Sequence, residues 1–219
     1  MSADAAPSIP RRLLLTGFEP YDGAERNPSG EVARALDGAL VGGFTVTAHV
    51  LPVSSARAPQ ALRAAIDELH PHLLLMLGVW PGRAGFTVER VAVNVCDFPV
   101  PDNDGARPVD EPVIVGGPAA FLASIPIRRV LDAWREHSLP GAVSNSAGTY
   151  LCNQGFYVAL AHAAPDGPAV GFIHIPNLPA ESARRNPIEP SLPLETLVEG
   201  VQVAIVALAG ERSPIVPEP

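Results

Sequence analysis

Length, composition and charge exclude several classes of protein for this chain. It has 219 residues, 47% of them hydrophobic and 17% charged, which predicts a single folded domain with a full core. The net charge is −8 and no more than two basic residues stand together, so nucleic-acid binding is not expected. No apolar run approaches the roughly 20 residues that span a bilayer, and residues 1–10 lack the apolar segment of a signal peptide. We therefore expect a cytoplasmic protein without membrane contact, with residues 1–10 as a loose leader.

The first half of the chain alternates predicted strands and helices. Apolar or β-branched runs predict strands over residues 13–17, 44–51, 73–77 and 86–95. Helical spacing predicts helices over residues 55–70 and from the entry signal Asn27-Pro28-Ser29 to residue 36. Residues 96–118 contain five prolines and a turn at 102–105, which predicts a long ordered or semi-ordered loop. Loops of this kind often carry binding surfaces.

The second half of the chain continues the alternation. Helices are predicted over residues 127–137 and 194–209 and from a start close to Cys152, and strands over 142–146 and 169–175. This order predicts the α/β class, as a three-layer α/β/α sandwich around a mostly parallel twisted sheet. Sites in such sheets lie at the carboxyl ends of the strands. We therefore expect the site near residues 17–18, 78–79, 145–152 and 174–175.

Cys152 is a candidate nucleophile. The chain has two cysteines, Cys96 and Cys152, and two free thiols in a reducing cytoplasm are favoured over one disulfide. Ser146, Gly148 and Thr149 precede Cys152 and allow a helix to begin close to it. A thiol there lies at the positive end of the helix dipole, which favours the thiolate, the nucleophilic form. The alternative is a buried structural cysteine.

A cysteine nucleophile requires a base, and the chain has six histidines. His162 lies ten residues along the same predicted helix, about 15 Å from Cys152, and is too distant. His174 ends an apolar strand, so it is either a histidine satisfied within the core or a base that faces a cleft. Solvated or capping roles are expected for the others, which are His49, His70, His72 and His137.

A third group is needed to orient the imidazole. Glu89 is the main candidate because it places a carboxylate within a strand pattern. The alternative for Glu89 is an exposed position on an edge strand, paired with Arg90. Asp97 and Asp102 are rivals for the orienting role, although their turn-rich surroundings favour a part in holding the loop.

Several long motifs follow one another along the chain. They are Thr16-Gly-Phe-Glu-Pro20, Asn27-Pro-Ser29, Glu89-Arg-Val-Ala-Val-Asn94, Pro101-Asp-Asn103, Ser144-Asn-Ser-Ala-Gly-Thr-Tyr-Leu-Cys152-Asn153 and His174-Ile-Pro176. From residue 13 to about residue 207 the chain resembles the type I pyroglutamyl peptidases, also called pyrrolidone-carboxylate peptidases. That family uses a triad in the chain order Glu, Cys, His, which corresponds to Glu89, Cys152 and His174.

The resemblance implies a cytoplasmic cysteine peptidase that removes an N-terminal pyroglutamyl residue from peptides. It implies an acyl-enzyme, no metal and no cofactor, and a possible homo-oligomer, often a tetramer in bacteria and archaea. The family's substrate-binding positions correspond to Phe18, Tyr21, Val79, Val100, Tyr150 and Leu151. The pyrrolidone ring is small, flat and uncharged, so an apolar pocket suits it.

Two loops depart from the family pattern. Residues 78–83 read Gly-Val-Trp-Pro-Gly-Arg where the family usually has Gly-Gln-Ala-Gly-Gly-Arg, so Val79 replaces a glutamine near the substrate. Pro99 replaces an active-site arginine, which removes a cation that could stabilise the oxyanion. We therefore expect weaker hydrolysis and a 96–118 loop that orders only with a ligand. The departures also leave two alternatives: a non-catalytic binder of blocked N-termini or lactams, and an amidase for another small cyclic amide.

Overall fold

The computed structural model describes residues 11–163 and 165–210, so the predicted leader at 1–10 lies outside the described residues. The strands are β1 (Arg11–Phe18), β2 (Leu40–Val41), β3 (Phe44–Leu51), β4 (Leu73–Val79), β5 (Phe86–Glu89), β6 (Val91–Val93), β7 (Ala120–Leu122), β8 (Gly141–Ser144) and β9 (Ala169–Ile175). The helices are α1 (Pro28–Ala35), α2 (Arg57–Leu69), α3 (Ile127–Glu136), α4 (Leu151–Ala163), α5 (Pro179–Ser182) and α6 (Leu194–Ala209).

Seven strands form one mixed sheet in the order β2-β3-β1-β4-β9-β5-β8. The pairs β1–β3, β1–β4, β4–β9 and β5–β8 are parallel, which confirms the mostly parallel prediction. However, β5 runs antiparallel to β9, and β2 runs antiparallel to β3. The carboxyl ends of β1, β4 and β9 therefore lie together at one end of the sheet, as predicted, while β8 ends in the opposite direction. The prediction that residues 145–152 follow the carboxyl end of a parallel strand assumed that β8 runs in the same direction as β9, and that assumption is wrong.

Helices cover both faces of this sheet and give the predicted three layers. On one face, Leu13 and Leu75 pack with side chains of α1, α3 and α6. On the other face, Leu14 and Leu74 pack with side chains of α2 and α4. Neighbouring residues of one strand thus enter opposite cores, as the two-residue period of a strand requires. The α/β/α architecture predicted from the alternating elements is confirmed.

The single strand predicted over 86–95 is wrong. The ladder breaks at Arg90, and β6 pairs with β7 in a separate two-stranded sheet. Val88 and Ala92 therefore enter different core clusters. In one continuous strand they would lie on the same face, because they are an even number of residues apart. The hydrophobic alternation continues across the break, so periodicity alone does not mark it. The short elements β2, β7 and α5 also have no counterpart among the predictions.

The loop over residues 96–118 is held by hydrogen bonds along its length. Cys96 and Glu111 exchange two backbone hydrogen bonds of 2.7 and 3.0 Å. Thr149, in the turn before α4, bonds the backbone of Asp97 through its backbone and its hydroxyl. The carboxylate of Asp102 accepts from the backbone N–H of Ser55 at 2.7 Å and from two N–H groups of its own turn. The loop is therefore anchored to the start of α2 and to the turn that leads into α4.

Within residues 11–163 and 165–210, no helix is both long and apolar enough to cross a bilayer.

Candidate active site

The centre of the candidate site is a buried pair formed by Glu89 and His174. Nδ1 of His174 donates to Oε1 of Glu89 at 2.8 Å, and both side chains are almost completely buried. The register of β5 against β9 creates this pair. Thr87 stands opposite His174, and Glu89 follows on the same face as its diagonal neighbour. The exposed alternative for Glu89, with Arg90 as its partner, is wrong.

Arg83 is a second partner of the Glu89 carboxylate. Its guanidinium donates to Oε1 of Glu89 at 3.0 Å and also bonds the hydroxyl of Thr87. The other oxygen, Oε2, is buried and has no hydrogen-bond partner in the described part of the chain. Glu89 thus directs one oxygen at both the imidazole and the guanidinium, and the charge it offers to His174 is shared with Arg83.

Aromatic rings enclose the His174 imidazole. The ring centroids of Phe172 and Trp80 lie 4.7 and 5.0 Å from the centroid of the imidazole, and the Trp80 ring is nearly perpendicular to it. The guanidinium of Arg83 stacks on the Trp80 ring, with its central carbon 3.9 Å from the ring centroid. Burial lowers the pKa of His174 below its ordinary value of 6.5; the hydrogen bond and charge of Glu89 oppose this shift, and the charge of Arg83 adds to it. The imidazole is therefore neutral around neutral pH.

Cys152 is the second residue of α4, as the helix-entry pattern predicts. Its sulfur lies against the backbone of β4, because a Cβ added at Gly78 would stand 2.7 Å from Sγ. Gly78 is the residue that β4 pairs with His174 of β9. The thiol and the imidazole therefore approach the same point of the sheet, and both line one cavity.

The pKa of Cys152 moves opposite to the sequence-based expectation. Burial raises the pKa of the thiol to about 12, and the negative charge of Glu89 acts in the same direction. The backbone N–H of Cys152 itself lowers the pKa, which is the helix-terminal effect that the sequence suggested. Loss of hydration outweighs that effect, so the balance of the two favours the neutral thiol over the thiolate.

The cavity beside Cys152 has a volume of about 410 Å³. All of the predicted substrate-binding residues line it, namely Phe18, Tyr21, Val79, Val100, Tyr150 and Leu151. Trp80, Pro81 and Pro99 from the two altered loops line it as well. Gly148, at φ +77°, lies opposite Trp80, where an added Cβ would be 3.5 Å from the indole. The bulk added at position 80 is therefore part of the cavity wall.

The remaining candidates have other roles. Asp102 holds its loop, as the turn pattern predicts, and the pKa of its carboxyl is lowered because backbone N–H groups stabilise the charge against the opposing effect of burial. His162 binds Asp67 at 2.7 Å, away from Cys152. Cys96 is buried at 3% exposure, and burial raises its pKa to about 11. Both cysteines are free thiols, as predicted.

Three contributors to the site had no assigned role before the structure: Arg83, Gly78 and Trp80. The sequence signal for Arg83 and Trp80 was their place in the altered 78–83 turn, which ends one strand and leads to the next.

For metals, the described ranges contain no group of three or more His, Cys, Asp or Glu side chains that could hold an ion.

Comparison with known proteins decides the family. Residues 11–211 match the family model described as pyroglutamyl peptidase. The chain belongs to this family. A pyrrolidone-carboxylate peptidase of Klebsiella pneumoniae (strain 342) is 45% identical over 195 residues, covering 88% of this chain and 90% of the relative. The pyrrolidone-carboxylate peptidase of Pyrococcus furiosus is 38% identical over 199 residues, covering 89% and 96%.

Solved structures of the family have the same fold. A mutant pyrrolidone carboxyl peptidase from Pyrococcus furiosus superposes with a TM-score of 0.87 at 37% identity, covering 90% of this chain and 97% of that chain. The pyrrolidone carboxyl peptidase from Thermococcus litoralis has a TM-score of 0.87 at 35% identity, covering 90% and 93%. The predicted family and fold class are confirmed. As a member of this family of cysteine omega-peptidases the chain is an enzyme, and the alternative of a non-catalytic binder does not hold.

Proposed function

We propose that this enzyme removes the N-terminal pyroglutamyl residue from peptides, with Cys152 as nucleophile, His174 as base and acid, and Glu89 as the group that orients His174. One observation carries the proposal: the buried Glu89–His174 hydrogen bond of 2.8 Å stands behind a cavity that His174 and Cys152 both line. The names of the relatives, pyrrolidone-carboxylate peptidases, support the substrate class.

Acylation begins with both groups neutral, since burial raises the pKa of the thiol and lowers that of the imidazole. Nδ1 of His174 is bonded to Glu89, so Nε2 accepts the proton of Cys152 as Sγ attacks the pyroglutamyl carbonyl carbon. Backbone N–H groups of the first turn of α4 are suited to bind the resulting oxyanion. The imidazolium then gives its proton to the leaving amine while the C–N bond breaks.

Deacylation repeats these steps with water in place of the thiol. His174 accepts a proton from water as the oxygen attacks the thioester carbon, and then returns a proton to Sγ as the C–S bond breaks. The products are free pyroglutamate and the peptide with a new N-terminus. Glu89 stabilises the transient imidazolium in both halves because its carboxylate accepts the Nδ1 hydrogen bond. The cost of charging a buried imidazole is thereby reduced.

The cavity suits the pyrrolidone ring by its size and polarity. Its volume of about 410 Å³ is within the range of small-molecule sites. Phe18, Val100 and Leu151 offer apolar surface to a flat, uncharged ring, and the Tyr150 hydroxyl already donates to the carbonyl of Pro101 at 3.3 Å. A blocked N-terminus carries no ammonium group, so recognition requires no carboxylate.

Release of a fluorescent amine from a pyroglutamyl amide tests the proposal. The wild-type enzyme is expected to hydrolyse it, and Cys152→Ser to lose at least about 10³-fold in turnover with an unchanged circular dichroism spectrum. The matched control is Cys96→Ala, which removes the other thiol and should keep most of the activity. Cleavage by Cys152→Ser near the wild-type rate would exclude the nucleophile assignment. The remaining alternative, an amidase for another cyclic amide, makes the opposite prediction of no release by the wild-type enzyme.

Two further features stay predictions that follow from the family relationship. We propose that the enzyme acts in the cytoplasm and assembles as a homotetramer. Light scattering on the eluate of a size-exclusion column measures the mass directly, and the mass of a single 219-residue chain would contradict the tetramer.

A further inference from the structure

A second cavity adjoins the one that contains Cys152. It has a volume of about 200 Å³, and five charged side chains are among the residues that line it. Six residues line both cavities: Tyr21, Asp22, Asn27, Val79, Pro81 and Arg185. Cys152 and His174 line only the first cavity. The two spaces are therefore neighbours along one shared wall, with the reacting groups on one side of it.

The shared wall indicates where the leaving part of a substrate lies. Phe18, Val100, Tyr150 and Leu151 line only the first cavity and contribute to its apolar surface. A pyrrolidone ring placed among these side chains puts its carbonyl at the thiol, so the peptide beyond the scissile bond extends away from them. The second cavity adjoins the first across the shared wall and offers space for that part of the peptide.

The charge of the second cavity differs from that of the whole chain. Arg26, Arg184 and Arg185 line it together with the carboxylates of Asp22 and Glu181, three positive groups against two negative ones. Arg184 is also paired with Glu25, so the charges around the cavity are nearly balanced in a chain whose net charge is −8. An anionic ligand is favoured only where one of these cations has no carboxylate partner.

Arg185 is the cation best placed to bind an anion here. The guanidinium of Arg184 is already engaged, because it donates to Glu25 at 2.9 Å. The side chain of Arg185 makes no hydrogen bond or ion pair with any other residue in the described part of the chain. Its charge also lowers the pKa of Tyr21, against the larger effect of burial, so the guanidinium lies near a residue of the shared wall.

We propose that the second cavity binds the leaving part of the substrate, and that Arg185 binds the terminal carboxylate of short pyroglutamyl peptides. The inference rests on the proposed function and makes it narrower. A planar guanidinium binds a carboxylate through two parallel hydrogen bonds, which an amide group cannot accept equally. Short pyroglutamyl peptides with a free C-terminus are therefore the preferred substrates, and the amidated forms are weaker ones.

The test compares two substrates that differ only in that carboxylate, pyroglutamyl-alanine and pyroglutamyl-alanine amide. For the wild-type enzyme kcat/KM should favour the free acid by about 5-fold, the upper range for an exposed ion pair. In Arg185→Gln the ratio should fall to about 1, because kcat/KM for the free acid falls by more than kcat/KM for the amide. Arg128→Gln makes an equal change of charge at an exposed position of α3. It is the matched control and should keep the wild-type ratio.

Each outcome separates this inference from the proposed function. Equal cleavage of both substrates by the wild-type enzyme would overturn the inference and leave the peptidase proposal intact. An undiminished preference in Arg185→Gln would overturn the role of Arg185. Cleavage of neither substrate by the wild-type enzyme would overturn the peptidase proposal and, with it, the inference. Loss of the preference in 0.5 M salt for the wild-type enzyme would support an ionic contact.

Discussion

At the scale of single residues, one carboxylate oxygen controls the protonation of the site. Oε1 of Glu89 accepts from His174 at 2.8 Å and from Arg83 at 3.0 Å. Glu89 raises the pKa of His174, whereas burial and the charge of Arg83 lower it. A base must be neutral to accept the thiol proton, so these opposing effects determine the lowest pH at which the site works.

The variant Arg83→Gln tests this balance. Removal of a positive charge that lowers the pKa of His174 should raise that pKa, so the acid limb of the kcat/KM profile should move to higher pH. Turnover should also fall, by about 10-fold, because Glu89 loses a donor that holds it. A pH profile of pyroglutamyl amide hydrolysis measures both effects, with Arg128→Gln as the control for net charge. An acid limb that stays in place would contradict the role given to Arg83.

Alkylation by iodoacetamide reports the state of the thiol. Burial raises the pKa of Cys152 to about 12, so its alkylation rate should keep rising with pH through and above pH 9. Mass spectrometry should find the inactivating label on Cys152, since Cys96 is only 3% exposed and its pKa is raised as well. A rate that reaches its plateau below pH 7 would indicate a resting thiolate and contradict the neutral pair.

Gly78 positions the sulfur by its lack of a side chain. A methyl group there would stand 2.7 Å from Sγ of Cys152 and 2.8 Å from the ring of Phe172. Gly78→Ala should therefore displace the thiol, lowering turnover strongly while costing about 1–3 kcal/mol of stability. Gly155→Ala in α4 is the control, because its methyl group would lie 3.0 Å from the flexible end of Met76 and in ordinary contact, at 3.9 Å, with the ring of Phe18. Equal activity of the two variants, measured with a melting curve for each, would contradict this account.

At the scale of elements, the reversed direction of β5 brings Glu89 and His174 together. Because β5 runs antiparallel to β9, Thr87 stands opposite His174 and Glu89 faces the imidazole from the next position on the same face. The 78–83 turn between β4 and β5 then brings Trp80 into contact with the imidazole and Arg83 to the carboxylate. The family departures at this turn therefore lie in the cavity wall rather than at a distance from the chemistry.

The altered loops are predicted to slow the reaction. Val79 and Pro99 both line the cavity and offer neither the amide nor the cation that the family usually has there. Since one lost transition-state donor costs about 10²–10³-fold in turnover, Val79→Gln with Pro99→Arg should raise kcat by up to about 10²-fold. The size control is Val79→Leu with Pro99→Met, which adds volume without a donor. A double variant that is no faster, or a control that is equally fast, would refute the explanation.

At the scale of the whole molecule, the sheet connects two cores. Leu13 and Leu14, adjacent in β1, enter the clusters on opposite faces, so neither cluster can lose its packing without exposing the sheet. Trp134 lies in the first cluster, stacks on Phe86 and donates to the carbonyl of Gly200 at 2.8 Å. It is therefore a reporter for one face of the sheet.

Because the composition predicts a single domain, we expect the chain to unfold in a single transition. The variant Trp80→Phe leaves Trp134 as the one tryptophan, because the chain has two. Its fluorescence and the far-ultraviolet circular dichroism should change at the same urea concentration, since all strands of the large sheet unfold together. Two separate midpoints would show that the faces unfold independently and would contradict the single domain.

Local chemistry made much of the fold predictable. The strands Phe44–Leu51 and Ala169–Ile175 and the helix Leu194–Ala209 have the predicted bounds, because hydrophobic period and turn residues act over a few positions. Asn27 caps α1 as its entry signal indicates, accepting from the N–H of Ser29 at 3.1 Å. All the predicted site residues except Glu89 line one cavity, and Glu89 lies directly behind it, bonded to His174.

What only the tertiary structure decided depends on neighbours that are remote in sequence. The direction of β5 and β8 and the break at Arg90 follow from which strands and helices pack together, and the alternating pattern is the same in either arrangement. The place of Arg83 on Glu89 follows from that strand pairing. The neutral states of Cys152 and His174 follow from the exclusion of water by residues drawn from many parts of the chain. Motifs indicate the proposed reacting groups, but burial sets their protonation, and burial exists only in the folded molecule.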